Sequence, residues 1–251
     1  MERQFSERQL IRWAVPGWVT LFLVIVLISV HLWFDEKFQI SMQSFVAGTP
    51  GGTIAAAGAA VIAMGFALGF VLFQVYFVLY WSRAATLVGG GVNYKEVVDS
   101  LDQFTSRLEK EFEQWPVEAN KGGTERQRME VSVAAAWWRS ISHKKEQRMV
   151  WEDRNQYLVA VYHSIGAMLV GAYLTVPLYL FGWATLSCLW LPLIINLVIL
   201  AAWIGVLLVG RKNTELSHRS LMKHALHYFY QQDTEESNGK PTKRTHKEQK
   251  P

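Results

Sequence analysis

Four stretches of this chain contain no Asp, Glu, Lys or Arg: Trp13–Phe34, Thr53–Trp81, Tyr157–Phe181 and Trp183–Gly210. Each exceeds the roughly 20 apolar residues that cross a bilayer core as a helix. In hydrocarbon such runs satisfy their backbone hydrogen bonds internally only when helical. The pattern predicts an all-α membrane protein with four transmembrane helices, paired as hairpins over 13–81 and 157–210.

Between the hairpins the pattern changes. Val97, Leu101, Phe104, Leu108, Phe112 and Trp115 recur at steps of three and four, the apolar stripe of one amphipathic helix. Pro116 ends it, and Asn120-Lys121-Gly122-Gly123 makes a turn. From Thr124 the chain has no Gly or Pro until Gly166, which predicts one long helix running into the third span. Thr124 with Gln127 three residues on has capping-box spacing. The two helices of 82–156 are expected to fold back as a helical hairpin, with Val133, Ala136, Trp137 and Ile141 on the facing surface. Two helices bury too little to stand alone.

A further amphipathic helix is expected over 214–232, within a 211–232 region, with Leu221, Met222, Ala225, Leu226, Phe229 and Tyr230 apolar and His218 and Lys223 on its polar side. It either lies in the lipid interface or completes the hairpin's bundle, which needs a cover. The remainder, 233–251, reads as a disordered basic tail.

Charge orients the layout. Of 25 Lys and Arg, three precede the first span, one (Lys37) lies in the 35–52 loop, twelve in 82–156 and nine from Arg211 onward, with none between the last two spans. The positive-inside rule then places both termini and the helical region in the cytoplasm. Trp13, Trp18, Trp81, Trp151 and Tyr157 suit the inner interface, and Trp33 and Trp183 the outer. The first apolar run is too long for a signal-peptide core and ends at Asp35-Glu36-Lys37, so it is expected to be retained. Compactness and this asymmetry favour a bacterial inner membrane. The 82–156 region balances twelve basic against twelve acidic residues, and no basic face with stacking residues points to nucleic acid.

Small and polar residues within the spans carry the site expectations. Gly58, Gly65 and Gly69 line a smooth face of the second span, the expected helix packing seam. Gly166 and Gly171 add small positions to the third span, and Pro192 with Asn196 is a possible kink in the fourth. No charge lies inside a span, which removes support for proton relays, voltage sensing and ion coupling. Gln74, His163 and Asn196 are the intramembrane polar candidates, as helix–helix hydrogen bonders or as a wet lining. Trp137 and Trp138 point in different directions on a helix, and are the interface candidates.

The catalogue of chemistry is short. The single cysteine, Cys188, permits no intrachain disulfide. Gly89-Gly90-Gly91 is not followed by Lys-Ser/Thr, so it reads as a hinge and not a phosphate cradle. His218, His224 and His227 lack a completing ligand set, so neither metal nor cofactor is expected. The layout of two spans, helical insert, two spans and tail is similar to four-span effectors of some bacterial antiviral systems and to accessory subunits of membrane complexes. That likeness is of architecture alone. The apolar stripes on helices too few to form a domain and the small-residue seam of the second span lead to the expectation of a non-enzymatic homo-oligomer. It is expected to meet the lipid bilayer, itself and a protein partner or signal, and in its strongest version to form a pore as a defence effector. The alternative is a scaffold subunit. A lipid-active enzyme using His163 or His31 is the third reading.

Overall fold

The computed structural model describes residues 10–34, 40, 43–44, 47–115, 124–142, 145–186 and 190–239. Seven α-helices of seven residues or more are formed among them: α1 (Val15–Trp33), α2 (Gly51–Trp81), α3 (Lys95–Leu101), α4 (Thr105–Phe112), α5 (Glu125–Ser142), α6 (Lys145–Leu186) and α7 (Trp190–Gly239). A π turn, Leu10–Ala14, leads into α1, and 3-10 turns cover Arg83–Val88 and Asp102–Phe104. No strand occurs among the described residues. Four helices are long and apolar enough to cross a membrane, as a multi-pass membrane protein requires.

The chain divides into two compact units, 1–91 with 154–218 and 92–153 with 219–251. In the first, α1 packs on α2 through glycine. A β-carbon at Gly17 would overlap the Gly65 carbonyl, one at Gly69 the Trp13 carbonyl, and one at Gly65 the Trp18 ring. Trp18 Nε1 donates to the Ile62 carbonyl at 3.1 Å, and Trp13 and Trp18 meet Phe70 and Phe66 edge to face. Lipid tails are as apolar as Leu, so close backbone approach and such bonds must supply the association. Gly58 takes no part in this contact, because nothing lies within 4 Å of its β position. Leu23 and Leu27 of α1 join Leu169 and Ala172 of α6 and Leu200 and Leu207 of α7 in one core. The opposite faces leave Phe22, Val78, Leu178, Phe181 and Val206 exposed, as a hydrocarbon solvent demands.

Helix ends depart from the expected ones. The fourth span begins at Trp190, not Trp183, which belongs to α6 and packs its ring on Trp190 at 5.2 Å. Cys188 lies outside the described residues. Pro192 is the third residue of α7, in the first turn, where proline is tolerated. The separate 214–232 helix is the continuation of the fourth span: α7 runs 50 residues, to Gly239, past the expected start of a disordered tail. Nothing between Gly210 and Gly239 is Gly or Pro, so nothing stops it.

In the second unit the predicted helix over 97–115 is two. A 3-10 turn at Asp102–Phe104 separates α3 from α4, and Ser100 and Thr105 spend their hydroxyls on the Val97 and Asp102 carbonyls. Such local bonds compete with continuous helix. The long helix expected from Thr124 is likewise described as α5 and α6, and the 116–123 turn and Pro116 lie outside the described residues. At Thr124 the capping box forms both bonds, backbone N to Gln127 Oε1 at 2.8 Å and Gln127 N to Thr124 Oγ1 at 3.3 Å.

α3 packs against α5, where Val133, Ala136 and Trp137 are buried; the side chain of Ile141 is outside the described ones. The 219–239 part of α7 shares this core through Leu221, Met222, Ala225, Leu226, Phe229 and Tyr230. Phe104 stacks on Tyr230 at 5.4 Å, and Gln103 bonds His227 at 2.8 Å.

The glycine contacts set a testable contrast. Gly17→Ala and Gly69→Ala overpack the α1–α2 contact and are expected to cost about 1–3 kcal/mol each. Gly205→Ala, whose β position is open, is expected to be neutral or slightly stabilising. Unfolding of the three variants in mixed micelles measures the difference.

Candidate functional site at a buried arginine

Arg211 is the first residue after the fourth apolar run, and its side chain is only 2% exposed. Helix α7 carries it to the end of the first unit where α2 and α6 present Tyr76 and Tyr162. Nη1 donates to the Tyr162 carbonyl at 3.2 Å. Nη2 donates to the Gly90 carbonyl at 2.7 Å and to the Tyr76 hydroxyl at 3.2 Å. The guanidinium carbon sits 3.9 Å from the Tyr162 ring centroid and 5.3 Å from that of Tyr76. Tyr162 also donates its hydroxyl to the Gly90 carbonyl at 3.1 Å.

The charge is therefore met by neutral oxygens and two aromatic faces. Among the described residues no carboxylate pairs with it. Glu215, one turn along α7, pairs with Lys212 at 3.3 Å instead. Nε has no acceptor among the described residues. Desolvating a guanidinium costs several kcal/mol, and hydrogen bonds to a charged group together with cation–π contacts offset that cost.

Gly89 and Gly90 adopt φ 84° and 76°, the left-handed region that side chains rarely enter. A β-carbon at Gly89 would also lie 2.6 Å from Arg211 Cδ. The glycine run is thus a fastened turn rather than a free hinge. On α6, Gly166 is small for the same reason, since a β-carbon there would overlap the Tyr76 ring and Arg211 Nη1.

His163 belongs to this centre. Tyr76 Oη lies 2.9 Å from His163 Nδ1. Arginine can only donate to the phenol, and the phenol keeps both its hydrogen and a second lone pair, so the bond to Nδ1 forms with either imidazole tautomer. The rings of Phe77, Tyr80 and Tyr162 lie 5.1–5.4 Å from the imidazole.

The other intramembrane candidates sit elsewhere. Gln74 is exposed and is not brought to His163, despite the equal depth its spacing implies. Asn196 is fully buried against α1 and α6, with Nδ2 donating to the Leu27 carbonyl at 2.9 Å and to the Tyr179 hydroxyl at 2.7 Å. Gln74, His163 and Asn196 thus occupy three separate settings within one chain. Of the seam glycines, Gly65 and Gly69 meet α1 and Gly58 does not. Trp137 is 2% exposed and Trp138 56%, so the adjacent indoles face opposite ways.

The histidines after Gly210 have separate partners. His218, placed on a polar face by its spacing, is buried and bonds Asn155 at 2.8 Å. His224 bonds the Ser220 carbonyl, and His227 bonds Gln103. No three His, Cys, Asp or Glu side chains converge among the described residues. The arrangement places one hydroxyl, Tyr76 Oη, 2.9 Å from an imidazole nitrogen. It offers a desolvated charge and a latch.

Sequence reasoning missed Arg211, Tyr76 and Tyr162. The available signal was the arginine's position immediately after an uncharged run, together with a glycine triplet. Comparison with protein families, curated proteins and solved structures yields no match.

The latch predicts an order of stabilities. Gly90→Ala has open space and is expected to cost the left-handed strain alone, about 1–2 kcal/mol. Gly89→Ala adds collision with Arg211 and is expected to cost at least about 1 kcal/mol more. Arg211→Gln leaves buried acceptors unmet and is expected to cost on the order of 2–4 kcal/mol. Unfolding in mixed micelles ranks the three, and equal effects at Gly89 and Gly90 would contradict the contact.

Proposed function

We propose that this chain is a non-enzymatic membrane protein that oligomerises and receives a partner or signal through its second helical unit on the cytoplasmic side. The observation that carries the reading is the Arg211 latch. It fastens Gly90, two residues before the second unit begins, onto the membrane-spanning helices. A pull on that segment breaks a charge-assisted bond inside the bundle, which turns an event in one unit into a two-state change in the other. The basic-residue asymmetry supports the cytoplasmic placement.

Self-association is supported by the half of α2 that α1 leaves uncovered. Ala55–Ala60 are exposed around Gly58, a small-residue face that admits a helix of another copy. In its strongest form the oligomer opens a pore or perturbs the bilayer. The scaffold reading has its own observation: Val131 and Trp138, seven residues apart on α5, are both exposed and suit a docked polypeptide.

Native mass spectrometry of the protein, gently extracted from its host membrane, tests these readings. We expect a closed homo-oligomer, and Gly58→Ile is expected to lower its order. A monomer, or a stable one-to-one complex with a second polypeptide, would overturn self-association and favour the scaffold. For the verified oligomer, dye release from liposomes that stays at background would remove the pore.

A further inference from the structure

Within the second unit, α4 and α5 border a cleft of about 710 Å³. That is the size of a small-molecule site. Arg107 and Lys110 of α4 and Arg139 of α5 bring three cations to it, with Gln103 and Phe104 beside them and Glu111 as its one acid among the described residues. The surrounding 82–156 region is balanced in charge, so this concentration is local.

Two features make the cleft more than a basic surface. Arg107 is held from two directions: its Nε donates to Glu111 Oε1 at 3.1 Å, and its guanidinium lies over the Tyr230 ring at 5.4 Å. That ring in turn stacks on Phe104. A guanidinium fixed in this way loses little freedom when it takes an anion. The second feature is Glu111 Oε2, buried and without a donor among the described residues. A buried acceptor left unmet is destabilising, and a ligand that brings it a donor relieves that cost.

We propose that this cleft binds a phosphate ester that also carries a hydroxyl, such as a mononucleotide or a glycerol phosphate headgroup. The phosphate oxygens answer Arg107, Lys110 and Arg139, and the hydroxyl donates to Glu111 Oε2. Inorganic phosphate meets the cations but brings a weaker match to the carboxylate. A dicarboxylate brings no donor for Glu111 Oε2. The shared chemistry has two sources, a free solute or a lipid headgroup. The inference deepens the signal-receiving reading and rests on it for its purpose, though not for the binding itself.

The test uses the full chain in nanodiscs of phosphatidylcholine, titrated calorimetrically with AMP, glycerol 3-phosphate and inorganic phosphate. AMP or glycerol 3-phosphate is expected to bind saturably and more tightly than inorganic phosphate. Lys110→Gln and Arg139→Gln alter exposed side chains and are expected to leave unfolding unchanged. Each is expected to weaken the ester at least about tenfold, the loss of one charge-assisted bond. Glu111→Gln is expected to weaken the esters and not inorganic phosphate.

Absence of saturable binding by every probe, or binding indifferent to Lys110→Gln and Arg139→Gln, would overturn the site. Equal affinity for inorganic phosphate would overturn the hydroxyl-bearing ester. Replacing part of the phosphatidylcholine with phosphatidylglycerol assigns the source. Competition with AMP supports a headgroup, and indifference supports a free solute. Lost binding with the native oligomer intact removes the cleft alone, whereas intact binding with no oligomer removes the self-association reading alone.

Discussion

A guanidinium that is almost wholly out of water constrains everything packed around it. Arg211 has five N–H donors and no way to shed its charge, so its surroundings must answer it with oxygens and electron-rich faces. The Gly90 and Tyr162 carbonyls, the Tyr76 hydroxyl and two tyrosine rings do so. Each answer imposes a further residue. The Gly90 carbonyl can point inward only because Gly89 and Gly90 take left-handed backbone, and Gly166 must be small because Tyr76 and the guanidinium fill the space above it. Tyr76, having accepted from Arg211, also hydrogen-bonds His163 Nδ1. One charge thus specifies residues on α2, α6 and α7 and the turn after α2.

The α1–α2 contact works by a different physics. Here no charge is involved, and Gly17, Gly65 and Gly69 allow backbone to touch backbone while Trp13 and Trp18 close the edges. Dispersion and a single indole hydrogen bond supply the attraction. Such a contact tolerates no added methyl group but makes no demand on partners beyond its own two helices. The arginine centre has the opposite character. It is directional, it ties distant segments together, and it is lost as a unit. A membrane unit built on both has one seam of close backbone contact and one directional, charge-assisted fastening.

Uncharged runs were enough to show four spans, because hydrocarbon leaves the backbone no alternative to helix. Capping at Thr124 was equally legible, since it depends on two side chains three residues apart. Helix ends were less so. Trp183 looked like the start of a span because it opens an uncharged run, yet α6 continues through it to Leu186. The change from apolar to amphipathic at Gly210 looked like a boundary between elements, yet α7 crosses it, because a change of solvent is not a break in the backbone. Gly58 shared a helical face with Gly65, but whether a small face is occupied depends on where the neighbouring helix lies. Likewise the stripe from Val97 to Trp115 kept its period across a 3-10 turn that local hydroxyl bonds create.

The arginine itself was the hardest feature to read, and the reason is instructive about charge counting. In a topology argument, Arg211 and Lys212 are two equal marks after the last span. In the folded chain they have nothing in common: Lys212 is exposed and pairs with Glu215, while Arg211 is buried. The proposed orientation survives the loss of Arg211 from the surface tally, because Lys212 and Lys223, both exposed, follow it in the sequence. The centre does not survive its exchange for lysine. An ammonium is a compact charge on a flexible stem, whereas this site spreads three acceptors around a plane and covers that plane with the Tyr162 ring. Selection for orientation alone would accept either residue at this position. Only a bundle that must hold Gly90 in place has a use for the planar one, and that requirement ties the chemistry of residue 211 to a mechanical role.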